Sequence, residues 1–91
     1  MARELTRTDA DALIAQYIGP HPSDRGLAEY WLLEPGVSVW AIIATLEVSG
    51  GDVDGVAAMY EIPRAQVEAA QAFYAQHREL IDDRIARNRF E

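Results

Sequence analysis

Four stretches of the chain carry apolar residues at helical spacing, and a fifth apolar stretch does not. Ala10, Leu13, Ile14, Tyr17 and Ile18 recur at i, i+3, i+4, i+7 and i+8, which places them on one face of a helix over residues 8–18. Thr8 stands where an N-cap belongs, and Asp11 three residues on gives a capping-box pattern. Gly19 suits the position just past the helix, and Pro20 and Pro22 stop it from continuing. Residues 19–26 then read as a turn-rich linker. Further on, Val39, Ile42, Ile43 and Leu46 form a second helical stripe behind Ser38 as cap, and Ser49-Gly50-Gly51 ends it. Asp52 caps a shorter helix with Val53, Val56, Ala57 and Tyr60 on one face. Glu61-Ile62 makes a tight turn, and Pro63 suits the first position of the next helix. Val67, Ala70, Tyr74, His77 and Ile81 carry that stripe on. Residues 63–88 are long for one helix of a small domain, so a break is expected near His77-Arg78.

The exception is the segment 27–33, Leu-Ala-Glu-Tyr-Trp-Leu-Leu, short and aromatic between Gly26 and Pro35-Gly36. Its composition and punctuation predict a strand. The pattern offers no second strand, and a lone strand leaves a row of backbone donors and acceptors unmet. Pairing with its own copy across a two-fold axis, or with a partner protein, would satisfy them. Tyr30, Trp31 and Leu32 are accordingly candidate dimer or partner contacts. The expected architecture is one mainly α domain over residues 1–91, with four or five helices and one short N-terminal strand. It divides into a helix and linker (1–26), the strand (27–33) and a helical domain (38–91), and it dimerises.

Composition narrows the chemistry. The 91 residues hold 15 acids and 8 basic residues, all arginine, for a net charge of −7, with no cysteine and two histidines. Disulfides, thiol catalysis and cysteine-based zinc sites are excluded. No metal or cofactor is expected, and an enzyme is disfavoured. Residues 1–7 are charged without an apolar run, and residues 39–46 are far too short to span a bilayer, so a cytoplasmic protein with no membrane contact is expected. Residues 1–61 hold ten acids against three arginines, whereas residues 62–91 hold five of each. An anionic partner would therefore meet the last third.

Residues 53–72 form the most specific local pattern. Ala57 sits where two crossing helices would touch, Ile62 follows the turn as a wedge, and Val67 with Ala70 packs the second helix back. That is helix-turn-helix spacing, with Glu61 in place of the usual turn glycine. An ordinary pair of packed helices has the same pattern. With Val67, Ala70 and Tyr74 inward, the opposite face of the second helix holds Ala65, Glu68, Ala69, Ala72, Gln76 and Glu79. Base-reading helices present Arg, Lys, Asn or Gln, and here Pro63, Arg64 and Gln66 near the helix start are the DNA-contact candidates. Ala65, Ala69 and Ala72 suit close packing against another helix, so protein contact ranks ahead of DNA contact. Arg84, Arg87 and Arg89 with Phe90 could enter an acidic groove on a partner; the alternative is a solvated helix end whose arginines complement the helix dipole. Asp82 and Asp83 point about 100° apart on a helix and read as a solvated face.

Val39-Trp40, Gly50-Gly51, Val56-Ala57, Tyr60, Val67, Ala69-Ala70, Phe73-Tyr74, His77 and Ile81-Asp82 fall in an order that resembles a family. It is the small bacterial antitoxin-like helix-turn-helix proteins classed as domain of unknown function 433. The resemblance covers residues 36–85 and is most specific over 56–82. Many members carry Gly-Thr-Arg where this chain has Glu34-Pro35-Gly36. The resemblance implies a non-enzymatic antitoxin of a type II toxin–antitoxin pair, a PIN-like ribonuclease as its toxin partner, dimerisation, and binding to its own operator DNA. It implies no catalytic residues. A sequence-specific DNA-binding regulator without a toxin, and a structural dimerisation module, are the alternatives.

Overall fold

The computed structural model describes residues 7–23 and 26–89. Helix α1 (Arg7–Tyr17) runs directly into strand β1 (Ile18–Gly19). A 3-10 turn (Leu27–Glu29) precedes strand β2 (Trp31–Leu32). Helices α2 (Val39–Val48), α3 (Val53–Tyr60), α4 (Arg64–Gln76) and α5 (Arg78–Arg89) follow. The fold is mainly helical with one short antiparallel sheet among the described residues.

The strand over 27–33 is shorter than expected and is not alone. β2 pairs antiparallel with β1, Ile18 opposite Leu32 and Gly19 opposite Trp31. Leu33 N–H donates to Tyr17 C=O at 2.9 Å on that side. On the other side Leu32 N–H donates to Val37 C=O at 2.8 Å and Val39 N–H to Tyr30 C=O at 3.0 Å, around a bridge between Trp31 and Ser38. The chain thus satisfies both edges of β2 itself, and the strand supplies no reason for a second copy to bind. Residues 18–19 had read as a helix end and stop, because two residues are too few for any alternation to show. A Cβ at Gly19 would come within 2.9 Å of the end of the exposed Leu33 side chain, which would have to shift to admit it.

Helix boundaries otherwise follow local chemistry. α1 is already helical at Arg7, so Thr8 lies in its first turn and not at the cap. Asp52 caps α3, its Oδ1 accepting from Gly55 N–H at 3.0 Å, whereas Ser38 precedes α2 without a side-chain bond. α2 ends as Gly51 N–H reaches back to Leu46 C=O at 2.8 Å, with Gly50 and Gly51 both at positive φ. α3 ends on Glu61 in the left-handed region (φ 56°, ψ 45°), and Ile62 N–H bonds Ala57 C=O at 3.0 Å. This backbone ordinarily selects glycine. Pro63 sits one position earlier than expected, as the cap residue before α4. The expected break falls on His77 alone (φ −135°, ψ 40°), whose C=O then accepts from Ile81 N–H to begin α5.

Helix α4 lies at the centre, packed against all four other helices. It buries Val67, Ala70 and Phe73 towards the core formed with Leu32, Val39, Ile42, Ile43, Val56, Ile81 and Ile85. It also buries Ala69 and Ala72, at 0% and 7% exposure. These alanines share a stripe with Ala65 and Gln76, and Gln76 Nε2 donates to Asp11 Oδ1 of α1 at 2.8 Å. The stripe therefore faces α1, whose Leu13, Ile14 and Tyr17 are packed on the core. Small side chains let two helices approach closely, as the alanine pattern indicated. The neighbour is the chain's own N-terminal helix, not another protein.

Candidate partner-binding surface

The start of α4 carries the three DNA-contact candidates, and the fold separates them. Pro63 and Arg64 are exposed. Arg64 reaches back across the turn to Asp54 of α3 at 2.5 Å and forward to Glu68 at 3.6 Å. The hydrogen bond and charge of Asp54, followed by Glu68, hold the Arg64 guanidinium above its ordinary range. Gln66 is half-buried instead, and its Oε1 is enclosed without a hydrogen-bond partner. It forms the wall of a cavity of about 430 Å³ together with Gln16 and Tyr17 at the end of α1 and Leu33 and Glu34 after β2. The sequence places Gln66 among the DNA-contact candidates because nothing local shows that the end of α1 and the turn after β2 come to lie beside it.

The other proposed contact residues fall in different places. Leu32 is fully buried in the core, and Ala69 and Ala72 lie under α1, so none of these offers a surface. Ala65 is half-buried on the same stripe. Tyr30 stacks on Phe73 with ring centroids 5.5 Å apart, and Trp31 packs beside His21 at 4.6 Å. Both aromatic residues are half-buried by the chain itself. Trp31 also accounts for Gly36, where a Cβ would meet its ring at 3.0 Å on a backbone of φ +88°.

At the other end, the arginines of α5 are largely spoken for. Arg84 pairs with Glu29 of the 3-10 turn, with both side chains under 20% exposed. Its guanidinium lies 4.3 Å from the ring of Trp40, fastening α5 to α2 and to the turn. Arg87 pairs with Asp83 at 3.3 Å and Arg89 with Glu47 at 3.4 Å, both near the surface. Arg78 sits over the Tyr74 ring at 5.4 Å. Phe90 lies outside the described residues. Tyr74 hydroxyl donates to Asp82 Oδ1 at 2.8 Å. That bond, with some burial, raises the phenol above its usual range. The sequence offered no sign of the Glu29–Arg84 pair, because its partners are 55 residues apart and nothing local distinguishes either one.

No constellation for covalent or metal chemistry is assembled among the described residues. Asp82 and Asp83 are exposed and engaged by Tyr74 and Arg87 respectively. His21 Nδ1 is 2.7 Å from Ser23 Oγ in an exposed loop, and His77 rests its ring on Phe73 at 4.5 Å. No group of three metal-ligating side chains gathers there, and no helix is long and apolar enough to cross a membrane. No family model, curated protein or solved structure matches the chain.

Proposed function

We propose that this chain is a divergent member of the antitoxin-like family classed as domain of unknown function 433, and that it binds and neutralises a PIN-like ribonuclease. The observation that carries a protein partner ahead of DNA is the state of the arginines. Arg64, Arg84, Arg87 and Arg89 are each committed to a carboxylate of the same chain, within a total charge of −7. Phosphate binding draws on clustered, available cations, whereas the basic groove of an RNA-cleaving partner is complementary to an acidic surface. Co-expression with the product of the adjacent open reading frame, followed by purification on a tag carried by that product as the candidate toxin, tests the proposal. Binding should yield a complex with no RNA cleavage. A toxin that purifies alone and stays active refutes it.

Operator binding is the second reading, favoured by the α3–α4 pair with Ile62 buried in the turn and Arg64 exposed at the head of α4. A gel-shift titration with the upstream region tests it: Arg64→Ala weakens a complex that uses this helix and leaves any other unchanged. A homodimer remains part of the proposal, but β2 cannot form its seam. Exposed apolar side chains such as Leu33, Val48 and Met59 are candidates for such a seam. Light scattering decides between one copy and two.

A further inference from the structure

Helix α5 is joined to α4 through the single residue His77 and is held in place by segments far away in the chain. His77 leaves the helical region (φ −135°, ψ 40°), yet residues 75–80, Ala-Gln-His-Arg-Glu-Leu, contain neither glycine nor proline. Nothing in that stretch forbids a helix. Straightening His77 would give the first N–H groups of α5 the carbonyls of the preceding turn, which the start of a helix lacks. The apolar pattern already runs through the break: on a continuous helix Val67, Tyr74, Ile81 and Ile85 fall within about 40° of one line. The anchors of α5 lie elsewhere. It packs on α2 and the 3-10 turn, with Ile81 and Ile85 buried in the core. Arg84 holds Glu29 and lies over Trp40, and Arg89 reaches Glu47. Its side-chain ties to α4, the Tyr74–Asp82 bond and Arg78 over the Tyr74 ring, are close to the hinge.

We propose that two copies of this chain exchange α5, His77 straightening so that each α5 fills the seat the other copy's α5 leaves. A straight α4–α5 helix carries Ile81 and Ile85 off the core of its own chain and opens a seat against α2 and the 3-10 turn. Both apolar surfaces then need covering, and a second copy covers both at once. It supplies the same Ile81, Ile85 and Arg84, so the Glu29 carboxylate and the Trp40 ring keep their partners. The contacts inside the seat are the same whichever chain provides the helix. Monomer and exchanged dimer therefore differ at the hinge and in the surface the two copies newly bury, which makes exchange a low-cost route to a dimer. The inference rests on the homodimer part of the functional reading and gives that dimer its seam; it does not involve the ribonuclease.

The chain has no cysteine, so introduced thiols are the only ones. Glu47 and Arg89, exposed side chains that meet at 3.4 Å, are replaced together as Glu47→Cys and Arg89→Cys. The doubly substituted protein is unfolded, refolded at the highest concentration it tolerates, and separated by size exclusion with light scattering. Each fraction is diluted, treated with a short bismaleimide and run on a denaturing gel. Exchange should give two chains linked to each other from the dimer fraction and internally linked single chains from the monomer fraction. The hinge gives a second measurement. His77→Ala favours a continuous helix and His77→Gly the break, by about fivefold per hinge, so the two variants' dimer dissociation constants should differ about thirtyfold, with alanine the tighter. A parent chain that stays monomeric up to its solubility limit overturns the exchange and the homodimer reading together. A dimer whose cross-links stay within single chains, or equal dissociation constants for the alanine and glycine variants, overturns the exchange alone.

Discussion

Enlarging Ala69 distinguishes a face sealed by the chain's own α1 from one that awaits a partner. Ala69 is fully buried, and Ala72 on the same stripe is nearly so. Leucine at position 69 adds three carbons where α1 and α4 meet, and neither helix can yield without breaking contact. Overpacking of this kind costs about 1–3 kcal/mol. In a domain of 91 residues each kcal/mol lowers Tm by about 4–8 °C. Ala75→Leu is the control on the same helix, because Ala75 is exposed and a surface change stays within about 0.5 kcal/mol. Urea unfolding followed by circular dichroism measures both variants. The slope against denaturant adds a second reading: if the leucine expels α1 instead of straining the pair, less surface remains to be exposed and the slope falls. An Ala69→Leu variant as stable as Ala75→Leu, with an unchanged slope, would refute the burial of this face. It would restore the alanines as a surface for another protein.

Glu61→Gly should raise stability by about 1 kcal/mol, since a non-glycine residue in the left-handed region costs about 1–2 kcal/mol and glycine's looser unfolded chain returns part of the gain; chemical denaturation checks it, and a loss of stability would contradict the assigned conformation. Arg84→Ala should destabilise by about 2 kcal/mol, because it strands the half-buried Glu29 carboxylate and uncovers Trp40. Thermal melts of that variant and of Arg87→Ala, whose exposed pair contributes at most about 1 kcal/mol, should differ clearly. Tyr74 has a folded-state pKa above its unfolded value of 10.0, so its contribution to stability is complete below that pH and is lost as the pH rises through the raised value. Asp82→Asn removes the principal cause, and spectrophotometric titration should then show one tyrosine ionising at lower pH than in the parent; an unchanged curve would refute the Tyr74–Asp82 bond.

Much of the local structure was legible in the residues because it is decided within a few positions of each one. The Asp52 cap, the Gly50-Gly51 stop, the tight turn at Glu61-Ile62 and the break near His77 depend on backbone propensity and hydrogen bonds that span a single turn. The apolar stripes likewise identified Val39, Ile42, Val56, Val67 and Ile81 as core, since burial at helical period is a property of the stripe itself. Tertiary structure decided which neighbour each face would meet. The two-residue strand β1 could be recognised only as the partner of Leu32 and Trp31, because a segment that short has no periodicity of its own. The alanine stripe specified a close approach but carried nothing to say that α1, some 60 positions earlier, would make it. The same packing turned Gln66 from a residue facing outward into one with a buried, unmet carbonyl, and joined Arg84 to Glu29 across the fold. Contacts such as these exist only when distant segments are brought together, so the chain alone determined its elements and their apolar faces, while their assembly decided which surfaces remain for a partner.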